Sequence, residues 1–171
     1  YSGVRTFDDM SLSRSPGNLF TIFTRAFTLT TTSCLDTTTC QRYLLDHLRV
    51  VLLFNTGLTY HRLSIEKGVP RLFSASQYYY NLSITEIQRL ALQVGYPVPT
   101  LNVVLMANYN NLGHLHSHHY DDLGTYVYHR CLHAAVLLTN CPAWLSEDEY
   151  VFFIMTLMMS KTGSSSVASA A

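Results

Sequence analysis

Apolar residues recur every three or four positions along most of this sequence, and this spacing restricts the fold more than any other feature. The clearest case follows Ser83, where Glu86 completes a capping box and Ile87 and Leu90 begin an apolar stripe that ends before Gly95. Such a spacing places the apolar side chains on one face of an α-helix. The sequence therefore predicts an all-α fold, with about eight helices joined by short connectors.

The connectors between the predicted helices are indicated by glycine, proline and β-branched residues. Apolar positions 19, 22, 23, 26 and 27 predict a first helix, whereas the threonine-rich run at 28–33 favours extended backbone. Asp36 is suited to cap the helix that follows. Later breaks are predicted at turn-forming or helix-breaking residues, namely Asn55–Gly57, Gly68–Pro70, Gly95–Pro99, Gly113 and Pro142. A second capping box, from Ser146 to Glu149, begins the last predicted helix.

The composition excludes several classes of protein. Hydrophobic residues make up 48% of the chain and charged residues 13%, about half of the ~25% that is usual for charged residues. Such a chain has enough apolar surface to bury, which excludes intrinsic disorder for most of it. Eleven basic residues balance eleven acidic ones, so no net charge attracts the chain to nucleic acid. No segment reaches the ~18 apolar residues of a membrane-spanning helix, and the weakly charged surface favours a subunit covered by partner proteins.

No motif in the sequence predicts catalysis or a bound cofactor. The four cysteines, at positions 34, 40, 131 and 141, form no CxxC pair. The glycine-rich motifs for dinucleotides and phosphates are missing, as is the GxSxG motif of serine hydrolases. The acidic pair Asp121–Asp122 diverges by about 100° on a helix, so we expect it to be solvated or to pair with Arg130. We therefore expect neither enzymatic activity nor a cofactor.

Five leucines stand just ahead of predicted helix starts: Leu35, Leu58, Leu82, Leu115 and Leu145. Among them, the segment Glu86–Arg89 followed by Val94–Tyr96 is similar to an E-L-R…G-Y motif, and Asn108–Leu115 stands where the same motif series has a loop ending in N-G-R-I. On these residues the sequence resembles the penta-EF-hand family, the group of sorcin, grancalcin and the calpain small subunit. The resemblance implies an EF-hand-like array of helix–loop–helix units with five degenerate hands.

The resemblance also implies a domain organisation and an interface. A penta-EF-hand-like domain at 17–160 would lie between an N-terminal extension at 1–16 and a low-complexity tail at 161–171. Its five hands would lie near 19–54, 47–73, 70–96, 100–138 and 132–159. In the family the fifth hand pairs with its counterpart in another subunit, so the implied interface consists of Trp144, Leu145, Tyr150, Phe153, Ile154 and Leu157. The implied partner is a second copy or another EF-hand protein.

The implied calcium loops lack the required ligands. An EF-hand loop supplies oxygen atoms at positions 1, 3, 5, 7 and 9 and a bidentate Glu at position 12. The residues at the degenerate loop positions are mostly neutral: Thr28, Thr30, Thr32, Asp36, Thr39, Glu86, Asn108, Asn110 and His119. Glu86 is also explained by its capping box with Ser83. We therefore predict that calcium binding has been lost.

A histidine-rich segment is the remaining candidate for metal binding. Its members are His114, His116, His118 and His119, and two further histidines follow at an i, i+4 spacing, His129 and His133. Imidazole groups at such spacings bind zinc or copper. Alternate residues of an extended loop point in opposite directions, however, and a metal site needs three or four converging ligands. The favoured interpretation is a polar loop that contacts a neighbour, and a metal site is the alternative.

Together these features predict a non-catalytic structural or scaffolding subunit of a larger protein assembly. The alternative is a calcium- or transition-metal-responsive EF-hand sensor or adaptor. The chain begins at Tyr1 rather than Met, which indicates an N-terminal segment that is either removed or unseen. A cleaved organelle presequence is one of these alternatives, and a mitochondrial location is the expectation that goes with it. A cytoplasmic, cytoskeletal or axonemal location is the alternative. Other protein subunits are the expected partners, with no direct contact to nucleic acid.

Overall fold

Helices make up most of the structure. The computed structural model describes residues 2–6, 20–31, 38–95, 98–138 and 145–164. The elements in chain order are β1 (Ser2–Thr6), β2 (Phe27–Thr31), α1 (Thr38–Lys67), α2 (Pro70–Val94), α3 (Pro99–His118), α4 (Asp122–Leu138) and α5 (Glu147–Ser164). The predicted helical class is confirmed, and the described residues form five helices and one two-stranded sheet. None of the helices in these ranges is long and apolar enough to cross a membrane.

The chain divides into two compact units. Unit 1 consists of residues 1–10 and 24–108, and unit 2 consists of residues 11–23 and 109–171. The division falls within α3, so the first half of this helix belongs to unit 1 and the second half belongs to unit 2.

The helix predicted for positions 19–27 is not formed. Residues 20–26 form no helix, and Phe27–Thr31 forms β2, which pairs antiparallel with β1. The side chain of Asn55 explains the difference, because its Oδ1 accepts from the Phe27 N–H at 3.0 Å and its Nδ2 donates to the Phe27 carbonyl at 2.8 Å. These two bonds satisfy the N–H and the C=O of Phe27 in the way that a neighbouring strand of a sheet would satisfy them. The extended backbone predicted for the threonine-rich run is confirmed within β2.

In unit 1, α1 and α2 form an antiparallel helical hairpin. The connection is short, with Gly68 at φ 60° and Pro70 in the first turn of α2, so the break predicted there is confirmed. Gly95, at φ 76°, ends α2 in the left-handed conformation that glycine favours, also as predicted. The helix boundaries on both sides of α2 therefore follow local sequence rules.

The break predicted at Asn55–Gly57 is wrong, because α1 continues through it without interruption. Gly57 instead allows α2 to approach closely, since a Cβ atom at this position would lie 2.9 Å from the ring of Tyr80. Tyr80 is fully buried, and its ring centroid lies 5.6 Å from that of Phe54 and 5.9 Å from that of His61. Gly57 is therefore a packing residue and not a turn residue.

The capping box predicted at Ser83 and Glu86 is also wrong, since both residues lie in the interior of α2. Ser83 is buried and donates to the Val50 carbonyl of α1 at 3.3 Å, while it accepts from the Asn108 amide of α3 at 3.0 Å. Glu86 accepts from arginines in an ion-pair network that links α1 and α2. This network has N···O distances between 2.7 and 3.0 Å and consists of Asp46, Arg49, Glu86 and Arg89.

In unit 2, residues 20–23 lie against helical asparagine and phenylalanine side chains. Asn111 of α3 accepts from the Phe23 N–H at 2.8 Å and donates to the Phe23 carbonyl at 3.1 Å. The Phe23 ring stacks on Phe153 of α5, with the ring centroids 5.4 Å apart. Gly113, where the sequence predicts a helix break, lies inside α3, and a Cβ atom there would lie 2.5 Å from the buried ring of Phe20. That prediction is wrong because Gly113 provides space for packing.

The capping box that begins α5 is confirmed. Glu149 Oε2 accepts from the Ser146 N–H at 3.1 Å, and Ser146 Oγ accepts from the Glu149 N–H at 3.3 Å. The two bonds satisfy N–H groups at the helix start that have no partner within the helix. Glu149 is consequently a buried acidic residue with a structural role.

Continuous helix replaces three of the predicted calcium loops. The second loop, at Asn55–Gly57, falls within α1, and the third, at Ala75–Glu86, falls within α2. The fourth, at Asn108–His119, falls within α3 except for its last residue. Backbone carbonyls inside these helices are used by helical hydrogen bonds. The predicted loop positions are distributed accordingly: Glu86 is in α2, Asn108 and Asn110 are in α3, Thr28 and Thr30 are in β2, Thr39 is in α1, and His119 follows α3. Thr32, Asp36 and the fifth loop, at Asn140–Pro142, lie outside the described residues. The described part therefore has five helices rather than about eight, and it lacks these three loops.

Candidate functional site

The histidine-rich segment forms the end of α3 and the turn to α4, not an extended loop. His114 is buried, and this burial, with a smaller effect of nearby His118, lowers the pKa of His114 to about 3. Its imidazole is therefore neutral at physiological pH. His118 and His119 are exposed, and their ring centroids lie 5.8 Å apart. The part of the chain that the structure describes contains no group of three or more His, Cys, Asp or Glu residues that could hold a metal ion.

His116 stabilises the start of α4. Because a carboxylate only accepts, His116 Nδ1 donates to Asp121 Oδ2, at 2.6 Å, and Asp121 Oδ1 accepts from the Gly124 N–H at 2.9 Å. The bond from Gly124 and then the bond from His116 lower the pKa of Asp121. The missing side chain at Gly124 leaves room for the His116 ring, which lies 5.0 Å from the ring of Tyr128. His116 therefore holds a helix cap in place.

Two side chains of α4 with reactive groups are not activated for nucleophilic chemistry. Burial raises the pKa of the Cys131 thiol. Burial, with a smaller effect of nearby Cys131, also raises the pKa of the Tyr128 hydroxyl. Both groups keep their protons at neutral pH, whereas a reactive thiol needs a lowered pKa.

The interface residues predicted on and before α5 divide between core and surface. Three of them are buried in unit 2: Leu145, Phe153 and Leu157. Of the others, Tyr150 is exposed, Ile154 is half-buried, and Trp144 lies outside the described residues. The interface prediction therefore falls partly on core residues of unit 2. Besides Tyr150, three apolar residues of α5 face solvent at an i, i+4, i+7 spacing: Val151, Met155 and Met158.

The helix α4 carries apolar residues on both of its sides. The side that packs into unit 2 includes four buried residues: Thr125, Leu132, Ala135 and Val136. The opposite side exposes the polar residues Asp122 and His133 together with seven residues that we call the α4 outer face: Leu123, Tyr126, Val127, Arg130, Ala134, Leu137 and Leu138. All seven are exposed, including Leu123 at 74% and Leu138 at 73%.

The α4 outer face is continuous along the helix. Its spacings of three and four residues keep the side chains on one side over about 22 Å, from Leu123 to Leu138. Arg130, near the middle, carries the one charge among the seven residues. It donates to the Tyr126 hydroxyl at 3.1 Å, and its guanidinium carbon lies 5.9 Å from the centroid of the Tyr126 ring. The face thus combines an apolar surface with a central positive charge.

The sequence predicts this helix but not the exposure of its outer face. An apolar stripe in the sequence predicts a helix after Gly113, and the structure exposes every member of that stripe: Tyr120, Leu123, Val127, Ala134 and Leu137. A second stripe with Thr125, Leu132 and Val136 is the buried one. Because both stripes are apolar, periodicity alone does not decide which of them faces the core.

Comparison with known proteins adds no relative of this chain. No family model, no curated protein and no solved structure matches it. The resemblance to the penta-EF-hand family therefore stays a prediction from the sequence, and the function has to be inferred from the geometry of the site.

Proposed function

We propose that this chain is a non-catalytic protein-binding module whose α4 outer face docks on a helix of a partner protein. The observation that carries the proposal is the exposure of six apolar residues around Arg130 on the side of α4 away from the core. Contiguous apolar surface of more than a few hundred Å² is unusual on a monomer and marks interaction sites. Covering such a surface is favourable by about 25 cal/mol for each Å² removed from water.

A helix is the partner element that fits the α4 outer face. The face is about 22 Å long, and its side chains have the i, i+3, i+4 and i+7 spacing through which helices pack on one another. Arg130 adds a chemical requirement, because a guanidinium that is covered by a partner needs a carboxylate opposite to it. The expected partner segment is an amphipathic helix with an acidic residue at the middle of its apolar side.

A second copy of this chain fits the face less well. Arg130 lies close to the midpoint between Leu123 and Leu138, so an antiparallel twofold pairing of two α4 helices places Arg130 beside its own symmetry mate. Like charges brought together in this way repel each other. The charge of Arg130 therefore favours a different protein as the partner.

Binding of a designed peptide tests the proposal. The probe is a fluorescent amphipathic helix of about 20 residues with leucines at i, i+3, i+4 and i+7 and one central glutamate. Fluorescence anisotropy is expected to give saturable binding that the double variant Leu123→Glu/Leu138→Glu abolishes. The matched control is Leu92→Glu, at a leucine of α2 that is 84% exposed and lies outside the face. This control should leave the affinity unchanged.

Circular dichroism separates a lost interaction from a lost fold. Substitutions at exposed positions change stability by about 0.5 kcal/mol or less, so the double variant should keep the melting temperature of the unmodified chain. Absence of saturable binding, or an equal loss of binding in Leu92→Glu, would contradict the proposal. A stable dimer that the double variant dissociates would also contradict it, because the face would then bind a second copy.

A further inference from the structure

Unit 1 contains a cleft that the proposed protein-binding function does not use. The cleft has a volume of about 290 Å³ and lies between the N-terminal part of α1 and the C-terminal part of α2. This volume is close to the lower limit of about 300 Å³ for sites that bind small molecules. Helix α1 supplies mainly polar lining residues, whereas α2 and position 98 supply mainly apolar ones.

One part of the cleft lining is apolar. Leu90 is buried, and Val94 and Val98 are half-buried. Tyr43, on the α1 side, is about half exposed and adds an aromatic ring. These side chains form a surface for the hydrocarbon body of a ligand.

His47 is a fixed part of the cleft lining. Its Nδ1 donates to the Tyr43 carbonyl at 2.8 Å, and in the neutral ring its Nε2 accepts from the Thr100 hydroxyl at 3.0 Å. The proton is on Nδ1 because a carbonyl can only accept. Since the protein uses both ring nitrogens, His47 serves neither as a base nor as a metal ligand for a molecule in the cleft.

Arg42 provides the unmatched charge of the cleft. Asp46 also lines it, but its carboxylate accepts from Arg89 at 2.9 Å. Arg42 makes no ion pair within the described ranges, and the Gln93 amide on the α2 side is exposed as well. A guanidinium beside an apolar surface favours a carboxylate, which it binds through two parallel hydrogen bonds.

We propose that this cleft binds a small amphipathic monocarboxylate. Arg42 and Gln93 hold the carboxylate, and the hydrocarbon body packs on Leu90, Val94 and Val98. One negative charge on the ligand matches the one unmatched positive charge, and the small volume limits the body to a short chain or a single ring. The site includes no residue of the α4 outer face, so it is independent of the function proposed above.

A pair of matched probes tests the ligand class. The acid is 4-phenylbutyrate, and its neutral counterpart is 4-phenylbutanamide. Titration of the ¹⁵N-labelled full chain is expected to give saturable shifts of the amide signals of the cleft residues. The acid should bind about tenfold more tightly than the amide, because only the acid forms charge-assisted hydrogen bonds with Arg42.

Variants of the cleft separate the role of Arg42 from that of shape. Arg42→Gln should weaken binding of the acid about tenfold and leave binding of the amide unchanged. Arg62→Gln, at an exposed arginine of α1 outside the cleft, should change neither affinity. Val98→Phe fills the cleft and should abolish binding of both probes.

Three results would overturn the proposal: equal affinities for the acid and the amide, an unchanged affinity for the acid in Arg42→Gln, and no saturable binding up to about 10 mM. Leu123→Glu/Leu138→Glu should leave binding of the acid unchanged. Loss of acid binding in that double variant would also overturn the proposal, because the probe would then be bound at the α4 outer face.

Discussion

In unit 1, α1 and α2 meet through buried hydrogen bonds as well as apolar contacts, whereas in unit 2 the solvent side of α4 exposes six apolar residues beside Asp122, Arg130 and His133. Ser76 donates to the Gly57 carbonyl at 2.9 Å, and Ser83 donates to the Val50 carbonyl. Exposed leucines also occur on α1, but charged Arg49 and the ion-pair network lie beside them. Unit 1 thus satisfies its polar groups within the helix pair, and unit 2 presents apolar surface beyond what its own packing requires.

In both units, an asparagine side chain binds the backbone of the segment at residues 20–31 in the same way. Asn55 binds both backbone groups of Phe27 in unit 1, and Asn111 binds both backbone groups of Phe23 in unit 2. The asparagine amide offers an acceptor oxygen and a donor NH2 group, which match a backbone N–H and C=O. Asparagine is a weak helix former, so its place inside α1 and α3 reflects these bonds. The units therefore differ in their outer faces and not in how they bind this segment.

The largest expected effect concerns the core of unit 2. Phe153→Ala should lower the free energy of unfolding by about 3–5 kcal/mol, because the ring is fully buried and stacks on Phe23. Chemical denaturation measures the change. The control Met155→Ala, on the exposed side of the same helix, should cost less than about 0.5 kcal/mol. A loss for Phe153→Ala as small as that of the control would contradict the core position.

Because both asparagines make the same pair of backbone hydrogen bonds, we expect their substitution to lower the free energy of unfolding by similar amounts. Asn55→Ala and Asn111→Ala should each lower the free energy of unfolding by about 2 kcal/mol, because each removes two side-chain hydrogen bonds to the backbone of a buried phenylalanine. Asn102→Ala, at a half-buried position of α3, is the control and should have little effect. A loss at one of the two sites alone would break the comparison between the units.

Acidification should weaken unit 2 through His114. The pKa of His114 is about 3 in the folded chain and ~6.5 in the unfolded chain. Below the higher value the unfolded chain binds a proton that the folded chain does not bind, so stability falls as the pH drops from ~6.5 towards the folded-state pKa. The loss is about 2 kcal/mol at a pH of about 5.

Denaturation curves at about pH 7 and about pH 5 measure this contribution. His114→Gln should remove it, and His133→Gln, at an exposed position of α4, should retain it. If His114→Gln and His133→Gln show the same pH dependence, the loss of stability does not come from His114 and the prediction is contradicted.

Helix breaks at glycine were predictable from sequence only where a proline follows. Gly68 and Gly95 each have a proline two positions later, and each ends a helix. Gly57 and Gly113 have none and lie inside helices. Proline removes a hydrogen-bond donor and clashes with the preceding turn, which interrupts a helix in most surroundings. Glycine costs a helix only about 1 kcal/mol, and packing against a buried aromatic ring exceeds this cost.

The two capping boxes show the same limit of local rules. Ser146–Glu149 begins α5 as predicted, whereas Ser83–Glu86 has the same pattern inside α2, because Ser83 is buried and bonds to α1. A local pattern indicates which residues can cap a helix, and contacts with distant residues decide whether a helix begins there. The α4 outer face follows this rule as well, since only contacts with distant residues decide which apolar stripe of α4 is buried.

Reversal of the charge at Arg130 tests most directly the claim that the α4 outer face is a docking site. The measurement is the affinity of the unmodified chain and of Arg130→Glu for two helical peptides that differ only in a central glutamate or lysine. We predict that the unmodified chain binds the glutamate peptide about tenfold more tightly and that Arg130→Glu reverses the preference. The same order of affinities for both proteins would contradict the claim.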